Sequence, residues 1–359
     1  NRTHMKAYKE SILAYGLFYP AVEFLGIVAV AIIIYRGGVM NLHGAVTVGT
    51  AMAFIQYSQR FFRPIQDLSD KYNILQSAMA SSERIFKLLD TPVTIEEPEH
   101  PAPLKEVQGR VAFSNVSFAY QDRHWVTENV SFAIQPGETV AVVGHTGAGK
   151  TTLTSLLLRF YDVTEGQVLL DGIDVRSLHL RDLRRNFGMV LQDPFLFSGT
   201  IASNIRLGTE GISDEQMRHA ARQVNILDFI ESLPGGFDEP VRERGVTLSV
   251  GQKQLLSFAR ALAHDPKILI LDEATSSVDP ETEALIRDAL RGLLRDRTAL
   301  VIAHRLSTIQ NADRIVVMHK GRVRELGTHR ELMERRGIYY KLYQLQYKDQ
   351  ELPAVRSEP

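Results

Sequence analysis

Residues 139–160 read TVAVVGHTGAGKTTLTSLLLRF. A short run rich in Val enters a turn holding three glycines, and Lys-Thr-Thr then opens an apolar helical pattern. Gly144 to Thr151 match the spacing G-x-x-x-x-G-K-[ST] in the strand-to-helix setting that a phosphate-binding loop requires. Glycines let backbone N–H groups turn inward around phosphate oxygens, and a helix N-terminus adds favourable partial charge. The cradle is therefore expected from Gly144, Thr146, Gly147, Ala148, Gly149, Lys150, Thr151 and Thr152. Lys150 is placed to reach the β- and γ-phosphates, and the Thr151 hydroxyl to ligate Mg²⁺.

A second small-residue turn opens a second helix. Residues 247–254 read TLSVGQKQ and run straight into LLSFARAL. One nucleotide needs only one cradle, so this second helix start, with Ser249, Gly251 and Gln252, asks for its own explanation.

Composition sets outer limits. The 359 residues allow two or three domains. A net charge of −1 gives no electrostatic basis for binding nucleic acid, and the absence of Cys excludes disulfides and thiol chemistry.

The average hides a split. Residues 11–35, SILAYGLFYPAVEFLGIVAVAIIIY, carry a single charge, Glu23. At ~1.5 Å rise per residue this run crosses a ~30 Å hydrocarbon core. Residues 36–44, RGGVMNLHG, read as a short loop, and a second span follows at about 44–63. That span is striped with Thr50, Gln56, Gln59 and Arg60, so its polar side is expected to face other helices or a watery path rather than lipid. Arg2, Lys6 and Lys9 before the first span, and Arg60, Arg63 and Lys71 at the end of the second, place both ends in the cytoplasm. Residues 64–90 keep helical periodicity while turning polar, so residues 1–90 read as a partial membrane domain with a cytoplasmic helix extension. Residues 91–109, rich in Pro and Glu, read as a linker. From 110 to 346 short apolar segments (TVAVVG, QVLLDG, FGMVLQ, KILILD, TALVIA, RIVVMH) alternate with helical patterns, which predicts an α/β domain with a mainly parallel sheet. Residues 347–359 read as a loose tail.

Acids and a histidine end several of these segments. Asp272 closes the apolar ILILD run and is placed to hold Mg²⁺ through water; Glu273 beside it is placed to polarise an attacking water as general base. His304 after LVIA and Gln192 after MVL fall at the C-terminal ends of strands, where open α/β sheets bind their ligands. Tyr120 in VSFAY is either a purine-stacking aromatic or a sheet residue.

Taken in order, GHTGAGKT, Gln192, LSVGQ, ILILDE, the SSVD of residues 276–279 and His304 resemble an ATP-binding cassette (ABC) ATPase. With LFSGTIASNI at 196–205, RERG at 242–245 and the apolar N-terminal region, the chain is similar to the last two membrane helices and the nucleotide-binding domain of an ABC exporter half-transporter of the multidrug and lipid type. That resemblance implies a P-loop fold with a helical subdomain, ATP and Mg²⁺ as ligands, and a multi-pass protein of the cell (inner) membrane whose nucleotide-binding domain is cytoplasmic. The implied partners are a second half-transporter chain in a homodimer or heterodimer, membrane lipid, and a hydrophobic or amphipathic substrate; nucleic acid is not among them.

The resemblance also implies residue roles. Tyr120 stacks on adenine, Gln192 senses Mg²⁺ and the attacking water, Asp279 crosses a dimer interface, and His304 contacts the γ-phosphate. The loop near Gln192 receives coupling helices from the membrane domain. The segment LSVGQ corresponds to the family's signature, which binds the γ-phosphate of ATP held by the other subunit's P-loop. The two cradles then serve two different ATP molecules. Val250 departs from the family's usual Gly, which raises the question of signature geometry. The family's half-transporter has six spans, so four more are expected, upstream of this sequence or on another chain. Three rival readings are a soluble ABC ATPase of the DNA-repair or translation class, an ATP-binding regulatory subunit without turnover, and an importer ATPase. The apolar run at 11–35, Glu273 and the fused membrane helices respectively argue against them.

Overall fold

A computed structural model describes residues 2–121, 124–209, 211–272, 280–295, 297–303 and 306–346. The chain divides into two compact units, Asn1–Val93 and Thr94–Pro359.

The first unit is two long helices packed on each other, α1 (Arg2–Leu42) and α2 (Val48–Leu89). The connection is shorter than the 36–44 loop expected from sequence, because α1 continues through Gly37 and Gly38. Gly37 lies where the helices approach: a Cβ there would come within 3.2 Å of Ala51 Cβ. The turn is then closed by Asn41 Nδ2 donating to the Val46 carbonyl at 2.7 Å, and Thr47 caps α2 by accepting from the Thr50 amide at 3.2 Å. Among the described residues, α1 alone is long and apolar enough to cross a membrane, over Met5–Leu42. Leu13, Leu17, Phe24, Ile27 and Ile34 are each more than half exposed within it. Apolar surface on that scale marks a face that something else must cover.

The second unit holds the strands β1 (Val111–Phe118), β2 (Thr127–Ile134), β3 (Thr139–Val143), β4 (Glu165–Leu170), β5 (Ile173–Asp174), β6 (Phe187–Val190), β7 (Gly199–Thr200), β8 (Pro240–Val241), β9 (Ile268–Asp272), β10 (Thr298–Ile302), β11 (Arg314–His319) and β12 (Arg322–Gly327). Its helices are α3 (Lys150–Leu157), α4 (Leu180–Arg184), α5 (Ile201–Arg206), α6 (Asp214–Gln223), α7 (Leu227–Ser232), α8 (Val250–Ala263), α9 (Pro280–Leu294), α10 (Leu306–Gln310), α11 (His329–Arg335) and α12 (Ile338–Gln346).

The main sheet has the order β12-β11-β3-β10-β9-β6 and is parallel except for β12. Its central strands are buried on both faces, which is why they read as unbroken apolar runs. In β3, Val140 and Val142 face one core while Ala141 and Val143 face the other. In β9, Ile268 and Ile270 divide from Leu269 and Leu271 in the same way. One core also takes in α5 to α9, the expected helical subdomain. The other takes in α3 and a separate antiparallel sheet of order β2-β1-β4-β5.

That antiparallel sheet claims one segment expected in the parallel set. QVLLDG falls in β4, which pairs antiparallel with β1 and turns back at Asp171-Gly172 into β5. Its inner residues Val168 and Leu170 are buried while Leu169 between them is only partly so, the alternation of a strand with one covered face. The Pro- and Glu-rich stretch before β1 lies along the same region. The Asp171 carboxylate accepts from the amides of Gln108 at 2.8 Å and Arg110 at 2.7 Å, and Ala102 N–H donates to the Ser177 carbonyl at 2.8 Å. Arg159 donates to the Glu96 carbonyl at 2.8 Å, and Leu104 and Val107 pack on the core.

Candidate nucleotide-binding site

The turn between β3 and α3 depends on backbone conformations that only glycine takes without strain. Gly144 has φ 157° and Gly149 φ 95°. A Cβ on Gly144 would lie 2.3 Å from the Met318 carbonyl oxygen, and one on Gly149 would lie 2.9 Å from both Val126 O and Thr127 Cγ2. The turn is thus seated against β11 and the start of β2. Inside it, Lys150 Nζ donates to the carbonyls of Gly144 at 2.7 Å and His145 at 3.2 Å, which fixes the ammonium within the loop. Burial lowers the Lys150 pKa, and the Asp272 carboxylate pulls it back up. The N-cap of α3 is Gly149, which has no side chain to cap with, so the first amides of the helix receive no side-chain acceptor.

A cleft of about 390 Å³ opens at this point. It is lined by Thr146, Gly147, Gly149, Lys150, Thr151 and Thr152 from the turn, by Asp272 at the end of β9 and by Gln192 after β6. Residues read from three separate motifs therefore meet in one place. An ammonium, open amides, a hydroxyl, a carboxylate and a side-chain amide suit a polyphosphate with a hard cation. Tyr120 stands beside the cleft, half-exposed, with its hydroxyl 3.4 Å from Thr152 Oγ1. Phe118 and Tyr161 pack on it edge-to-face, with ring centroids at 4.8 and 5.0 Å. Sequence reading missed Val126, which also lines the cleft, and Tyr161. Neither sits in a motif; both arrive through the packing of β1, β2 and α3. Glu273, Asp279 and His304 lie outside the described residues.

The second helix start is built differently. Ser249 caps α8: its hydroxyl accepts from the Gln252 amide at 3.2 Å, and Gln252 Oε1 accepts from the Ser249 amide at 2.9 Å. This reciprocal box uses up two amides that a ligand would otherwise find. Val250 is the first residue of α8, is half-exposed and is absent from the positive-φ positions. The backbone there is one that Val adopts without strain. Ser249, Gly251 and Gln252 are not among the residues lining the cleft at α3.

The ABC transporter family matches residues 127–276. A probable multidrug resistance ABC transporter ATP-binding/permease protein of Bacillus subtilis (strain 168), YheH, is 49% identical over 312 residues, which is 87% of this chain and 46% of the relative. A fatty acid ABC transporter ATP-binding/permease protein of Mycobacterium bovis is 46% identical over 327 residues, 91% of this chain and 52% of the relative. Among solved structures, a bacterial Atm1-family ABC exporter with ATP bound superposes with a TM-score of 0.69 at 36% identity, over 99% of this chain and 61% of that one. The chain spans about half the length of the curated relatives it matches.

Proposed function

The chain belongs to the ABC transporter family through its ATPase domain, and on that premise we propose that it is one subunit of an ATP-driven exporter. The observation that carries the reading is the convergence of Lys150, Thr151, Gln192 and Asp272 on one cleft. Two further facts support it: the uncovered apolar length of α1, and similarity to a solved Atm1-family ABC exporter that covers 99% of this chain. In this reading the protein is a multi-pass membrane protein with its nucleotide-binding domain in the cytoplasm.

The amides at the start of α3 and the Lys150 ammonium hold the phosphates of ATP. Thr151, Asp272 and Gln192 supply the oxygen donors for Mg²⁺, whose charge offsets that of the phosphates. Tyr120 takes the adenine on its exposed face. Glu273 draws the proton from an attacking water and His304 holds the γ-phosphate, roles that rest on their places in the sequence. Ser249, Gly251 and Gln252 serve the ATP of a second chain, and Asp279 lies at the contact between the two. Closure around ATP shifts the membrane helices only by as much as ATP prefers the closed form. The substrate is a hydrophobic or amphipathic compound, a class that includes the fatty acid in one relative's name. Gln56 and Gln59 line its path.

The test is MgATP turnover by the membrane-reconstituted protein. Lys150→Ala is expected to lower kcat by about 10³-fold or more, since charge stabilisation of transferring phosphate is lost. Glu273→Gln is expected to bind ATP and hold it unhydrolysed. Near-normal turnover by Lys150→Ala would remove the basis of the proposal.

A further inference from the structure

Arg260, in the last turn of α8, reaches across to the segment that follows Gln192. Its Nε donates to the Asn204 carbonyl at 2.9 Å, Nη1 to the Phe195 carbonyl at 2.9 Å and Nη2 to Asn204 Oδ1 at 3.1 Å. Asn204, only 2% exposed in α5, grips the same segment. Its Oδ1 accepts from the Phe197 amide at 2.8 Å, while Nδ2 donates to the carbonyls of Phe197 at 2.8 Å and Thr200 at 3.0 Å. The backbone from Phe195 to Thr200 is thus tied to one helix by an arginine and to another by an asparagine. The side chains in this turn point two ways. Phe195 and Phe197 are 42% and 55% exposed and stack edge-to-face at 5.0 Å. Leu196 between them is fully buried and abuts Gly245, where a Cβ would come within 2.8 Å of Leu196 Cδ1. Gly245 lies just ahead of Ser249, so the aromatic turn is bonded to the last turn of α8 through Arg260 and packs close to the segment that leads into its first turn.

A guanidinium offers donors in a rigid planar fork, so three oxygens on two residues fix its position where a lysine ammonium cannot. Hydrogen bonds inside a folded domain hold groups in discrete arrangements, and a push on one member is passed on rather than absorbed.

We propose that Arg260 and Asn204 are positioning residues that lock the exposed Phe195–Phe197 pair to α8, so that displacement of the pair re-aims Ser249 at the far end of the helix. This rests on the reading that Ser249 serves a nucleotide held by a second chain. A load applied to the two aromatic rings is then felt at the partner's γ-phosphate, with no change in how the chain's own α3 cradle binds.

Two measurements on the full chain test it. In hydrogen exchange without nucleotide, the double change Phe195→Ala and Phe197→Ala is expected to speed exchange of the Gln252–Gln254 amides about tenfold while leaving Thr152–Thr154 unchanged. On an Arg260→Gln background the same double change should add less than about twofold, since the connection is already cut. Unchanged amides, or effects that simply add, overturn the proposal. In steady-state turnover, Arg260→Gln, Arg260→Lys and Asn204→Ala should each lower kcat about tenfold with the KM for MgATP within about twofold. Rescue by Arg260→Lys, or a loss confined to KM, also overturns it. If Arg260→Gln does not fold, Arg260→Lys takes its place in the exchange comparison. The exchange measurement needs neither ATP nor a transported compound, so it is decided independently of whether Lys150→Ala abolishes turnover.

Discussion

The starts of α3 and α8 look alike in sequence and are solved in opposite ways. Each is a small-residue turn followed by an apolar helix. At α3 the N-cap is a glycine with φ 95°, no side chain caps the helix, and the first amides open on a cleft beside Lys150. At α8 the N-cap is Ser249, and a reciprocal box with Gln252 satisfies two amides from within. The first leaves its amides without a side-chain acceptor, beside the Lys150 ammonium. The second has filled part of its own hydrogen-bonding capacity, so an anion arriving there must compete with Ser249 for the Gln252 amide. An uncapped helix start and a self-capped one within a single chain fit the proposed arrangement, in which binding happens at one cradle and closure brings the other to it.

The contrast can be broken at its strongest point by Gly149→Ala. The added Cβ meets the Val126 carbonyl and Thr127 Cγ2, at a φ that Ala resists. A loss of about 2 kcal/mol or more in unfolding free energy is expected, together with loss of ATP binding, read by denaturant titration and fluorescent-nucleotide binding. Ser249→Ala removes the cap of α8 and should cost about 1 kcal/mol, with ATP affinity at α3 unchanged. Val250→Gly is the smallest change. Since Val250 already sits in helical backbone, stability should shift by less than about 0.5 kcal/mol and turnover should stay near that of the unaltered protein. A large gain in turnover would mean that Val250 distorts the signature after all.

The same contrast shows what sequence discloses. The three glycines announce their geometry because each conformation is demanded locally, by a positive φ or a close approach. The doubly buried strands β3, β9 and β10 are equally plain from their unbroken apolar runs. QVLLDG looked like another such strand because a short apolar run does not show which faces are covered; the pairing of β4 with β1 decides that. Gly37-Gly38 reads as a break, yet α1 continues, because the missing side chain is needed at the contact with Ala51. The Pro- and Glu-rich stretch offers no local sign that Asp171, more than 60 residues ahead, receives its amides. Val126 reaches the cleft, and Tyr161 reaches Tyr120 beside it, only through packing. The stretch at Ser249 reads from sequence only as a small-residue turn opening a helix; that this helix start is partly self-satisfied is decided by its hydrogen bonds with Gln252.

The claim that the two helix starts serve different ATP molecules is tested most directly by counting nucleotide trapped with vanadate in purified mixed pairs. One pair joins a Ser249→Arg chain to a Lys150→Ala chain; the other joins an unaltered chain to one carrying both changes. If each α3 cradle works with the partner's α8, the first pair keeps one intact composite site and traps one nucleotide, while the second pair has a lesion in both sites and traps none. The reverse result, none in the first pair and one in the second, would mean that both cradles of a chain act on the same ATP, and would contradict the account.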